Sequence, residues 1–126
     1  MQPISIVLAH RDSGRLGSLA ASQSNHFLNI ATVSKATDLR DTISKSRAEL
    51  AVVDLELVGF PAFADYCREF PGTAFISTHR LADDNIWSAS LAAGALDCRD
   101  DADLQAILDS VEKYLAMKSL PTAPAA

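Results

Sequence analysis

The run LAVVDLELVGF, residues 50–60, decides the fold. Within it LAVVDL (50–55) is a continuous Leu/Ala/Val stretch that closes on a carboxylate, Asp54. A strand with one wet face alternates apolar and polar residues. A short unbroken apolar run reads instead as a strand covered on both faces, the pattern of parallel sheets. Working outward, ISIVLA (4–9), FLNIATV (27–33), TAFIST (73–78) and ALDC (95–98) repeat that signal.

Helical spacing fills the gaps. A weak helix over 14–24 carries Leu16 and Leu19, and a second, capped by Ser34 or Thr37, carries Leu39 and Ile43. After Pro61, the residues Phe63, Tyr66, Cys67 and Phe70 form a short third helix stopped by Pro71-Gly72. Residues 83–93, with Ile86, Trp87, Ser90 and Leu91, form a fourth that ends at Gly94. Leu104, Ile107, Leu108, Val111 and Leu115 mark the fifth. Strands alternating with helices predict an α/β fold, a doubly wound five-stranded parallel sheet of order 2-1-3-4-5, flavodoxin-like.

The 126 residues suit one domain, read as 1–118, with residues 119–126 as a Pro/Ala tail or linker. Eleven basic against 16 acidic residues give a net charge of -5, which argues against a free-standing nucleic-acid binder. Two cysteines, Cys67 and Cys98, lack metal-ligand spacing and suit a reducing compartment. No stretch approaches the roughly 20 apolar residues of a membrane span, and MQPISIVLAHRD lacks a basic leader region. A cytoplasmic location and no membrane partner are expected.

Ligands of such sheets bind beyond the carboxyl ends of the strands, near the reversal between strands 1 and 3. That rule selects His10, Arg11 and Asp12, then Asp54, then Ser77 and Thr78, then Arg99 to Asp101. A carboxylate closing a buried strand costs free energy unless it is paired. Asp54 is therefore either a functional group or a satisfied acid that caps the following loop. Ser77, His79 and Asp54 are the residue types of a hydrolase triad, but no G-x-S-x-G elbow accompanies them. No phosphate-cradling glycine loop is present either, and Gly14 and Gly17 lack the remaining pattern.

On these residues the chain resembles a response-regulator receiver domain of two-component signalling. LAVVDLELVGF is similar to the family's phospho-acceptor strand and loop, which places Asp54 at the acceptor and Gly59 at the loop glycine. TAFIST puts Thr78 at the hydroxyl that contacts the phosphoryl group, and AAGALD (92–97) resembles the run before the fifth strand. The resemblance spans residues 4 to about 117.

The departures fall on the chemistry. The resemblance implies an acidic pair after strand 1 for a divalent metal, where this chain has His10 and Arg11, leaving only Asp12. The Lys expected after strand 5 falls at Asp101, and the aromatic switch position falls at Cys98. Asp54 and Asp101 against Arg11 give a pocket charge near -1 with His10 neutral. An Arg about 6 Å from a divalent ion opposes it by roughly 5 kcal/mol at an effective dielectric near 20. No metal is expected; if one binds, Asp12 and Asp54 hold it, with Asp101. Arg11 or His10 is expected to pair with Asp54 in its place.

The expected function is that of an atypical receiver, a phosphorylation-independent protein-interaction module and not an enzyme. Its partner is a histidine kinase or a downstream effector, and a second copy of the chain is a further candidate. No cofactor is expected, and Mg²⁺ enters only if Asp54 accepts a phosphoryl group. The alternatives are a working phospho-acceptor and a small flavodoxin-like enzyme or nucleotide binder. The acids Asp97, Asp100, Asp101 and Asp103 read either as the start of the last helix, capped by Asp100 or Asp101, or as part of a partner face. The switch or partner face is expected at Trp87, Cys98 and Asp100, on the fourth helix and fifth strand.

Overall fold

The computed structural model describes residues 5–23, 29–81 and 83–119. The ends of the first two predicted strands (Ile4, Phe27 and Leu28) and most of the predicted tail lie outside them. The elements in order are β1 (Ser5–Ala9), α1 (Ser13–Gln23), β2 (Asn29–Val33), α2 (Ala36–Ser46) and β3 (Leu50–Asp54). They continue with α3 (Leu55–Val58), α4 (Phe60–Glu69), β4 (Ala74–His79), α5 (Asp84–Ala93), β5 (Asp97–Asp100) and α6 (Leu104–Ser119). All strand pairs are parallel, in the order β2-β1-β3-β4-β5. The predicted architecture is the observed one.

Alternation along each strand sorts the core into two layers. Val7, Ala9, Ala51, Val53 and Phe75 face Leu39 and Ile43 of α2 and Phe63 and Tyr66 of α4. Ile6, Leu8, Leu50, Val52 and Ile76 face Leu16 and Leu19 of α1 and Ile107 and Val111 of α6. β1 and β3 are buried along their whole length, which is why they read as unbroken apolar runs. Register places Asp54 directly opposite Thr78 at the carboxyl end of the sheet.

Four local expectations are corrected. The third helix is two: α3 is a single turn starting straight after Asp54, and Gly59 at φ 83° breaks the chain direction before α4. Pro61 sits in the first turn of α4, where its missing N–H costs nothing. The residue before α2 is Lys35, which gives no side-chain cap, so neither Ser34 nor Thr37 serves. The fifth strand is Asp97–Asp100 rather than 95–98, because Ala95 still closes α5 through its amide to the Ser90 carbonyl. Finally, the α6 cap is Asp103, whose Oδ1 accepts from the Ala106 amide, and not Asp100 or Asp101. Gly94 holds the predicted left-handed position at φ 114°.

Candidate functional site

Three strand ends and one loop converge on Asp54. The side chain is fully buried, so each of its oxygens needs a donor. Oδ1 accepts from the Glu56 amide at 3.0 Å and so caps α3. Oδ2 accepts from the Arg11 amide at 3.1 Å and from Arg11 Nη1 at 2.6 Å. The other guanidinium nitrogen, Nη2, donates to Asp101 Oδ2 at 2.9 Å. Arg11 thus forks across the two acids that the sequence places at the carboxyl ends of strands 3 and 5. Burial alone would lower the Arg11 pKa, but the hydrogen bonds to Asp54 and Asp101 outweigh it, and the guanidinium stays charged.

His10 is 1% exposed and has both ring nitrogens committed. The Asp12 amide donates to Nδ1 at 2.9 Å, which makes Nδ1 a lone pair. The proton is therefore on Nε2, which donates to Asp101 Oδ2 at 3.2 Å. Burial would raise the Asp101 carboxyl; the hydrogen bonds from Arg11 and His10 more than offset this, and its pKa lies below the ordinary 3.8. Arg15 completes the enclosure by donating from Nη1 to the Asp101 carbonyl at 3.0 Å.

Among the described residues, His10, Asp54 and Asp101 bring potential ligand atoms within 4.8 Å of one another. They do not fit a divalent ion. Mg²⁺ requires free carboxylate oxygens and waters. Here Asp54 Oδ2 and Asp101 Oδ2 are both turned to Arg11. His10 faces the cluster with a proton rather than a lone pair. Asp12 is not in the cluster at all: it is exposed, and its Oδ1 accepts from the Gly14 and Arg15 amides at the start of α1. Those backbone hydrogen bonds lower its pKa. Asp12, named with Asp54 only in case a metal binds, thus stands outside the cluster with its Oδ1 held at the helix terminus.

Thr78 lies beside Asp54 and is 1% exposed, and its Oγ1 has no hydrogen-bond partner. The triad types are not assembled. Ser77 Oγ donates to Ser90 Oγ at 2.9 Å, and His79 Nδ1 accepts from the Leu81 amide. Of the expected partner face, Trp87 is 46% exposed and Asp100 is exposed, but Cys98 is buried and cannot meet a partner directly. Asp100 turns its Oδ1 back to the Ala102 amide.

Sequence reading missed Glu56, Arg15 and Arg80. Glu56 stands 3.7 Å from Arg11 Nη2 on one side and 3.1 Å from Arg80 Nε on the other. The signal for it lay in the opening run, two residues beyond Asp54, where a one-turn helix keeps both side chains near the same strand end.

No protein-family model matches the chain, and no curated protein matches it. Solved structures do. The signal receiver domain of a DNA-binding response regulator protein from Colwellia psychrerythraea is 17% identical with a TM-score of 0.79, covering 90% of this chain and 98% of that one. The signal receiver domain of a putative Luxo repressor protein from Vibrio parahaemolyticus is 17% identical with a TM-score of 0.80, covering 95% of both chains. A CheY-like receiver domain protein from Methanospirillum hungatei is 18% identical with a TM-score of 0.77, covering 92% of this chain and 96% of that one. The chain has the fold of response-regulator receiver domains.

Proposed function

We propose that this chain is a receiver-type signalling module whose acceptor pocket is held by an internal cation in place of a divalent ion. It works through protein–protein contact rather than by phosphoryl transfer. The single observation that carries the reading is the Arg11 fork, at 2.6 Å to Asp54 and 2.9 Å to Asp101. A phosphoryl group on Asp54 would bring a charge of about -1.5 to -2 beside Asp101, where the fold's usual ammonium would neutralise it. Arg11 already stands between the two acids and has one charge to share. The module is read as a binding protein and not an enzyme, acting in the cytoplasm with a kinase-like or effector partner. No helix among the described residues is long and apolar enough to cross a membrane.

One observation favours a second reading, a working phospho-acceptor: the unpartnered Thr78 hydroxyl next to Asp54 is placed to receive a phosphoryl oxygen. Incubation with acetyl phosphate and Mg²⁺, followed by intact mass spectrometry, separates the two. The expected result is an unchanged mass. A gain of one phosphoryl group that disappears in Asp54→Ala would overturn the internal-cation reading and support the acceptor.

A further inference from the structure

Next to the Arg11 fork, one residue beyond Asp54, the surface opens between the start of α4 and the first turns of α5. This groove of about 280 Å³ is lined by Leu55, Phe60, His79, Asn85, Ile86 and Ala89. Its walls are mostly apolar, and Phe60 is 37% exposed at its edge. Water filling it would amount to roughly nine molecules at about 30 Å³ each, most of them facing carbon rather than a hydrogen-bond partner. Displacing them with one bulky apolar side chain is favourable. The groove also joins the core, since Leu55 is buried and Ile86 packs against the layer formed by Phe63 and Phe75.

Charge at the mouth selects the occupant. Asp83 and Asp84 lie exposed at the start of α5, with Asp83 Oδ1 accepting from the Ile86 amide. Arg80, three residues before Asp83 in sequence, is paired with Glu56 at 3.1 Å. Asp83 and Asp84 therefore bias the rim toward negative charge. His79 turns inward: its Nδ1 accepts from the Leu81 amide, and its Nε2 is 3.9 Å from Glu56 Oε1. Two helices form the walls, the arrangement into which an amphipathic helix lays an apolar anchor.

We infer that this groove seats one bulky apolar side chain of a partner protein's amphipathic helix, flanked by Lys or Arg that meet Asp83 and Asp84. The site is distinct from the face bearing Trp87.

The test is a ¹⁵N-resolved NMR titration of the full chain with tryptamine, a bulky apolar ring bearing an ammonium. Its counterpart is indole-3-propionate, the same ring bearing a carboxylate. Tryptamine is expected to shift the amides of Phe60, Ile86 and Ala89 and to bind about two- to five-fold more tightly than the acid, the range of one exposed charge interaction. Added salt should narrow that gap. Asp84→Lys should remove the preference, and Ala89→Arg should abolish binding by either probe while the sheet amides keep their positions. An amphipathic helical peptide with one central Trp and Lys flanks should displace tryptamine better than its Glu-flanked twin. Equal binding of the two indoles, shifts centred on Trp87, unaltered binding in Ala89→Arg, or equal displacement by the two peptides would each overturn the proposal.

Discussion

Asp54 does two things that sequence reading could only offer as alternatives. Its Oδ1 caps α3 as an ordinary strand-end acid, and its Oδ2 holds Arg11. One oxygen carries the capping role and the other the ion pair with Arg11. The residue was legible because a carboxylate closing a buried run must be paired; its partner was legible only as a choice between His10 and Arg11. The choice is settled by the Asp12 amide, which fixes the His10 proton on Nε2 and directs it to Asp101, so that Arg11 is left to meet Asp54. Breaking a fully buried ion pair costs about 3–5 kcal/mol. Arg11 is 33% exposed and Asp54 keeps two amide donors, so a smaller loss, about 1–3 kcal/mol, is expected for Arg11→Gln. Urea denaturation of Arg11→Gln, Asp54→Ala and the double variant should reveal a coupling of about 1 kcal/mol. Losses that add to within about 0.5 kcal/mol would reduce Arg11 to an uncoupled surface side chain.

At the scale of elements, the clearest sequence signals were the most regular ones. β1, β3 and α6 were legible because burial on both faces and a 3.6-residue repeat leave little choice. The junction from α5 to α6 was not. Ala95 and Leu96 look like strand residues because they are apolar, yet the Ala95 amide is needed to finish α5 and the Leu96 amide reaches Phe75. The strand is displaced into DCRD, where four residues carry three charges. An edge position tolerates this because Arg99 pairs with Asp97 at 3.0 Å and donates from Nε to Ser110 Oγ, which in turn donates to Asp97. The same displacement moves the α6 cap to Asp103 and frees Asp101 to enter the pocket. Two neighbouring acids therefore have separable roles. Asp103→Ala should destabilise the chain by about 1 kcal/mol, the usual cost of a lost cap, and raise hydrogen exchange in the first turn of α6. Its pocket amides should stay in place. Asp101→Ala should leave exchange in that turn unchanged while displacing the amides of His10 and Arg11. Exchange that rises equally in both variants would restore Asp101 to the cap.

For the whole molecule, the topological rule located the site before any motif did, since a 2-1-3-4-5 sheet gathers the ends of β1, β3, β4 and β5 at one edge. What it could not supply was side-chain direction, and so Asp12 was counted in the pocket and Glu56 left out. The net charge of -5 is likewise uninformative until the acids are placed. Placed, three of them share one property. Asp12 is held below its ordinary value of 3.8 by the Arg15 and Gly14 amides. For Asp97 and Asp101, burial pulls the other way but is outweighed, by the Cys98 amide, Ser110 and Arg99 in the first case and by Arg11 and His10 in the second. A carboxyl with a lower pKa folded than unfolded binds fewer protons in the native state as pH approaches 3.8, so acid favours the unfolded chain. Its contribution is complete above the unfolded value and disappears as pH falls through the folded one. From these three groups, urea midpoints should be level between about pH 7 and 5 and should fall steadily from about pH 4 downward. Asp101→Asn, which cannot titrate, should start lower at neutral pH and lose less on acidification. A decline that begins above about pH 5 and is unchanged in Asp101→Asn would place the acid sensitivity in groups outside these three carboxylates.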